Sequence, residues 1–332
     1  MENKLIISTS PHLHSGASTR RIMLDVLIAL TPAAIAAVVL FGWSAAVLIA
    51  VSVISAVGSE FVFNLICKQQ QTIGDLSAAV TGLLLALTLP VSAETIGNAW
   101  WQVMLGAIFA IVVVKCLFGG IGCNFANPAI TGRIFMLICF PETGKAIAPL
   151  FGKLVEGTAA DGTLVSGATP LGAMGAGVGA ESLPSLLDML LGNRGGAIGE
   201  SCIIALVLGG IYLLARKVIA WHTPVVYIGA TFLLSLVFCG DALIALYHVL
   251  AGGLVIGAFF MATDYSTTPL NKWGKAVFAL GCAVITVIIR FFANYPEGVS
   301  FAILIMNILS PYIEKLCAPK PLGAAGKKGG KA

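Results

Sequence analysis

Few residues in this chain could do chemistry, and they gather in three places. Ser166-Gly167-Ala168-Thr169-Pro170-Leu171 is a small, polar hexapeptide between very hydrophobic segments. Its glycine and proline predict a tight turn, and an exposed threonine hydroxyl there suits covalent attachment or ligand contact. A second run, Phe118 to Ala129, places Gly119, Gly120 and Gly122 ahead of Asn124, Asn127 and Pro128. It has neither the strand–helix setting nor the lysine of a phosphate-binding loop. A close-packed re-entrant turn fits better, with Asn124 and Asn127 either touching a ligand or capping a short helix that starts near Pro128. The third place follows an apolar stretch, where Asp264 precedes Tyr265, Ser266, Thr267 and Thr268. Asp264 reads equally as a ligand group or as a cap.

Ionisable groups inside apolar segments are functional candidates, because an unpaired charge in hydrocarbon costs several kcal/mol. Asp75, Arg133, Asp241, His248 and Asp264 qualify. Asp75 and Asp241 begin apolar stretches, where a carboxylate stabilises a helix N-terminus. His12 and His14 lack cysteine or carboxylate company at ligand spacing and read as surface or headgroup residues. The eight cysteines form no C-x-x-C pair and read as small buried hydrophobes. No metal site and no catalytic side chain is assigned.

The elements that must position these groups are membrane helices. The chain has 332 residues, 58% hydrophobic and 10% charged, with a mean hydropathy of +0.98. Soluble domains average about 45–50% apolar and about 25% charged. The 38 glycines suit close helix approach in lipid. The net charge of +4 carries no nucleic-acid signal. Residues 1–21 are polar and show no cleavable signal peptide, so the first apolar stretch is expected to stay as a span.

A span needs about 20 apolar residues. Ten candidates appear, at 22–41, 44–66, 75–90, 98–118, 125–140, 198–219, 224–239, 241–262, 274–293 and 299–316. The third, fifth and seventh look short, which predicts broken helices lining a site. Ten spans put both termini on one side, with fourteen lysines and arginines from Lys4 to Lys331. The other side holds Lys145, Lys153 and Arg194, with Arg290 near its edge. The bias predicts both termini in the cytoplasm and the long connection, 141–197, outside it. The resulting divisions are a cytoplasmic segment (1–21), five spans (22–140), the connection (141–197), five spans (198–316) and a disordered basic tail (317–332). Thr81 to Leu87 echoes Gly252 to Ala258, which suggests two five-helix halves, inverted because five is odd.

Several motifs in order carry a resemblance. They are Ser10-Pro11-His12, Arg21-Ile22-Met23 and Ala29-Leu30-Thr31-Pro32-Ala33, then Phe118 to Ala129, the hexapeptide at 166–171, and Phe260 to Pro269. Together the sequence resembles the RnfD/NqrB family of membrane flavoproteins over about residues 5–317. The resemblance implies FMN held by a phosphoester at Thr169, with Ser166, Gly167 and Ala168 completing the attachment motif. In that family an acidic residue often stands six positions before the threonine; here it is Thr163, with Asp161 further upstream. The resemblance also implies a second, non-covalent flavin near the cytoplasmic side, for which riboflavin is the candidate. Asn124, Asn127, Arg133 and Asp264 are the residues expected at that flavin or along an ion path.

The implied function is that of a membrane subunit of an Rnf-type complex. Such a complex passes electrons between ferredoxin and NAD and moves Na⁺ or H⁺ across a prokaryotic cytoplasmic membrane. The implied partners are subunits of the A, B, C, E and G types, the bilayer and a flavin transferase. The competing reading is a urea-channel-like solute transporter of the same architecture, which would need no flavin.

Overall fold

The computed structural model describes residues 18–90, 96–141, 149, 155–158, 164–175, 183–293 and 298–318. Expectations for His12, His14, Lys145, Lys153, Asp161, Thr163 and the basic tail lie outside these residues. For Ser166, Gly167 and Ala168 only the backbone is described.

The first half contains α1 (Thr19–Phe41), α2 (Trp43–Ile66), α3 (Ser77–Leu87), α4 (Ile96–Ile108) and α5 (Pro128–Cys139). The last turns of α4 widen into a π-helical stretch, Phe109–Cys116. The connection carries strands β1 (Val155–Thr158) and β2 (Leu164–Ala168), then α6 (Pro170–Gly175) and α7 (Leu186–Leu191). The second half contains α8 (Ile203–Ala215), α9 (His222–Cys239), α10 (Ala242–Leu250), α11 (Leu254–Ile256, extended by π-helical Gly257–Met261), α12 (Lys272–Phe292) and α13 (Val299–Leu316). Among the described residues α1, α2, α9, α12 and α13 are long and apolar enough to cross a bilayer. The pair α10–α11 qualifies as one span bent by 64°, and α3, α4, α5 and α8 are shorter apolar helices. The protein is thus a helical, polytopic membrane protein, with an apolar segment at each of the ten expected places.

The short helices are fixed by what satisfies their ends. α3 has 11 residues, about 17 Å of rise against a hydrocarbon core of about 30 Å. Of its residues only Ala79 escapes full burial. Its free C-terminal carbonyls cannot face lipid unpaired. The chain before α8 supplies the donors: the Gly199 N–H bonds to Leu87 O at 2.8 Å and the Ile198 N–H to Leu89 O at 3.1 Å. Only glycine fits at 199, since an added Cβ would lie 2.4 Å from Leu87 Cβ.

This pairing shortens the sixth segment. Residues 198 and 199 are held at the end of α3 and the helix starts at Ile203, not at 198 as expected. The seventh segment, expected to be short, is a full helix of 18 residues because it starts at His222.

Two left-handed residues mark matching interruptions. Leu76 (φ 63°) precedes α3, and Gly252 (φ 68°) separates α10 from α11. A cation follows each at nearly the same distance along the chain. Lys115 donates to Ser77 Oγ at the head of α3 (2.6 Å). Arg290 donates to His248 O and to Ala251 O, the latter at 3.3 Å, at the end of α10. The backbone therefore pairs Leu76 with Gly252, whereas the sequence echo pairs Thr81 with Gly252. The left-handed break, rather than the apolar run, is the feature the halves share.

The connection is ordered where it is described. β1 and β2 pair antiparallel, with an irregularity between Val155 and Glu156. Leu171, Ala173, Leu183 and Met189 form a small apolar cluster with Tyr247 and Ala251 of the α10 region. The Tyr247 hydroxyl donates to Pro184 O at 2.7 Å. These contacts seat α6 and α7 on α10.

Candidate functional site

Thr169 lies where β2 ends and α6 begins. The Gly172 N–H donates to its Oγ1 at 3.0 Å, and the Ala173 N–H to its carbonyl at 2.9 Å. It is therefore the N-cap of α6, with Pro170 in the first helical position, an arrangement both residues favour. The expected tight turn with an exposed hydroxyl is instead a strand-to-helix junction, and Thr169 is half-buried. The reason is the pairing of Leu164–Ala168 with β1, which extends the motif's backbone.

Beyond the break at Gly252, about 10 Å further along the span by helical rise, a half-open cavity begins. Its apolar walls include Met23, Val26, Leu84, Leu213, Phe259 and Phe260. Its polar groups include Ser77, Lys115, Asn124, Asn127, Asp264 and Ser266. Three of the four expected second-site residues meet here. Both π-helical stretches border it, through Lys115 on one and Phe259 and Phe260 on the other. Such distortions of a helix recur at functional sites.

Asn127 is committed to the fold. Its Oδ1 accepts from the N–H groups of Ala129 (3.0 Å) and Ile130 (3.4 Å), and its Nδ2 donates to Met261 O at 3.3 Å. It caps α5 and ties that helix to the end of α11. Asn124 is different: its Oδ1 is buried with no hydrogen-bond partner. The Asp264 carboxylate accepts from Ser266 Oγ (3.2 Å) and Thr267 Oγ1 (3.1 Å). Arg133 does not join this group. Almost fully buried, it lines a separate cleft with Thr88, Glu200 and Gly253. Asp241 caps α10, accepting from the Leu243 N–H at 2.9 Å.

A hydroxyl-rich cleft shares Asn124 and Ser266 with the cavity. Thr267, Thr268, Asn307, Ser310 and Glu314 line it, and no lysine or arginine does so among the described residues. Asn307 is 2% exposed, yet neither its Oδ1 nor its Nδ2 has a partner.

Sequence reasoning missed a fully buried ion pair. Lys115 Nζ lies 2.7 Å from Glu60 Oε1, and both side chains are 2% exposed. Thr72 Oγ1 also donates to Glu60 Oε1 at 2.6 Å, and Asn64 Nδ2 donates to Thr72 Oγ1 at 3.1 Å. By sequence Lys115 reads only as a charge at a span end. Glu60 sits well inside the second apolar segment, so the rule that picks out Asp75 applies to it equally. Asp25 in the first segment is a similar case, held by Tyr212 (3.0 Å) and Arg216.

Apolar helices long enough to cross a bilayer, one further span bent at Gly252, and an apolar cavity lined by a few polar groups define a polytopic membrane protein. The chain belongs to the NQR2, RnfD, RnfE family, whose sequence profile matches residues 6–323. It is 40% identical to the D-type subunit of the Na(+)-translocating ferredoxin:NAD(+) oxidoreductase complex of Acetobacterium woodii, over 97% of this chain and 96% of that protein. It is 38% identical to the D-type subunit of the proton-translocating ferredoxin:NAD(+) oxidoreductase complex of Clostridium ljungdahlii, over 97% of each. The D-type subunit of an ion-translocating oxidoreductase complex from Halorhodospira halophila is 36% identical over 94% of each chain.

Proposed function

We propose that the protein is a membrane subunit of an Rnf-type, ion-translocating ferredoxin:NAD oxidoreductase. It carries FMN as a phosphoester on Thr169 and a second, non-covalent flavin in the cavity. The flavins supply the redox chemistry; the chain binds them, separates them and keeps water from them. Both termini are cytoplasmic, and 141–197 lies on the other side of the cytoplasmic membrane. The A, B, C, E and G type subunits complete the complex, and a transferase loads Thr169.

The observation that carries the reading is the placement of Thr169. Its oxygen caps α6, and its O–H makes no bond among the described residues. A hydroxyl has one donor hydrogen and two lone pairs, so esterification removes the uncommitted hydrogen and leaves an oxygen to cap the helix. The two sites then lie on the same interrupted span, one against α10 and the other at the far end of α11. That is the arrangement an electron path through a subunit needs.

The residues of the cavity fit a flavin. Aromatic and aliphatic walls suit a flat ring, and the unpartnered Asn124 oxygen supplies an acceptor. The adjoining cleft suits a neutral polyol chain and not a phosphate, because it offers hydroxyls, amides and a carboxylate without a cation. This favours riboflavin over FMN there. The relatives do not decide the coupling ion: two of nearly equal identity are named for different ions.

Intact mass of the purified chain tests the reading. The expected result is an excess of one FMN, with a fluorescent band in a denaturing gel that Thr169→Ala abolishes. A chain of unmodified mass, as a solute channel of this architecture would be, refutes it.

A further inference from the structure

We infer that Lys115 is the residue that compensates the negative charge arriving when the cavity's redox ligand is reduced, and that Glu60 is the positioning residue for it; this rests on the reading of the cavity as a flavin site.

The geometry carries the argument. An ammonium has three donor hydrogens. Lys115 uses two, on Glu60 Oε1 (2.7 Å) and Ser77 Oγ (2.6 Å). No other partner for Nζ exists among the described residues, and Lys115 borders the cavity. Glu60 does not border it; it holds the ammonium from behind, itself fixed by Thr72. The other charged group of the cavity, Asp264, is already engaged by Ser266 and Thr267. Lys115 is thus the one cation presented to a ligand there among the described residues.

A plain structural role leaves the arrangement unexplained. A buried ion pair is often no better for stability than well-packed apolar residues. A Lys–Glu pair of which only the lysine reaches the ligand is, however, suited to a site whose occupant changes charge. In a medium of low dielectric such a charge acts strongly over a few ångströms. The oxidised ring is neutral and tolerates a cation already balanced by Glu60. Each added electron, from the reduced carrier that precedes the flavin, brings a negative charge that the free Lys115 N–H faces. No bond to the protein forms or breaks.

The test uses the full chain in detergent, in a Thr169→Ala background, so that the non-covalent flavin is the only one in the spectrum. Its reduction potential is read by spectroelectrochemistry at fixed pH. Lys115→Met is expected to make reduction harder by at least tenfold in the one-electron equilibrium, about 59 mV. Glu60→Gln is expected to shift it the opposite way, because the ammonium then lacks its counter-charge. Lys115→Arg, which keeps the charge, is expected to stay nearer the parent than Lys115→Met; it and Glu60→Gln decide the matter if Lys115→Met does not fold. Flavin bound in every variant at an unchanged potential, or shifts of the same sign in Lys115→Met and Glu60→Gln, would overturn the inference while leaving the cavity's ligand in place. Thr169→Ala protein without any extractable flavin would remove the ligand and the inference together.

Discussion

Gly199→Ala is the sharpest perturbation the fold offers. The new Cβ would lie 2.4 Å from Leu87 Cβ, 2.7 Å from Leu87 O and 2.9 Å from Leu87 Cα. Carbon contacts are optimal near 3.5–4.0 Å, so the segment around Gly199 and the helix end must part by about 1 Å. Backbone stands on both sides, so no side chain can swing away. The shift breaks the bond from Gly199 to Leu87 O and strains that from Ile198 to Leu89 O. A buried carbonyl left unsatisfied costs about 1–3 kcal/mol, and overpacking adds about 1–3 kcal/mol. The expected loss is on the order of 2–6 kcal/mol. Gly196→Ala in the same segment is the matched control, because nothing lies within 4 Å of its added Cβ and its φ is ordinary. Thermal unfolding in detergent, followed by fluorescence-detected size exclusion, should show a much lower midpoint for Gly199→Ala and little change for Gly196→Ala. Equal midpoints would refute the claim that this contact holds the end of α3.

Three further outcomes are expected. Arg290→Met removes the donor to His248 O and Ala251 O, and charged hydrogen bonds are worth about 1.5–3 kcal/mol each; the same assay should show a clear loss of stability. Asn127→Ala should cost about 1–2 kcal/mol as a lost cap, and equally with or without bound flavin, since its polar atoms serve the fold. Asn307→Leu should leave the flavin-free protein as stable as before, because neither polar atom has a partner to lose. It should also weaken riboflavin binding about 2- to 10-fold, one ordinary hydrogen bond, measured by flavin titration.

The sequence speaks clearly where one physical force dominates. Long apolar runs such as Trp43–Ile66 and Val299–Leu316 have to be helices in lipid, and they stand within a residue or two of their expected bounds. Boundaries fail where a distant partner decides them. Nothing near Ile198 announces that residues 198 and 199 will serve the carbonyls of α3, so hydropathy starts the sixth helix too early. Within the site, Asn124, Asn127 and Asp264 share a setting at segment ends, and that setting is enough to group them. Arg133 is not separable from them by sequence, because which side of a short helix faces which cleft depends on crossing angles. Asn127 has two readings open in the sequence, and its capping geometry favours the bland one. Glu60 and Lys115 are far apart in the chain, and only the packing of α2 against α4 makes them a pair. Thr169 looks like a turn because its neighbours favour turns; strand pairing with 155–158 overrides that preference.

The dependence of α3 on Gly199 also bears on how the chain is made. At the usual pace of synthesis, the residues that complete α3 leave the ribosome about 110 positions after Leu87, roughly 5–20 s later. Throughout that interval an eleven-residue apolar rod, too short to bridge the bilayer, has its terminal carbonyls uncapped by their eventual donors. The first half therefore cannot mature on its own as it enters the membrane; its innermost helix is finished by the second.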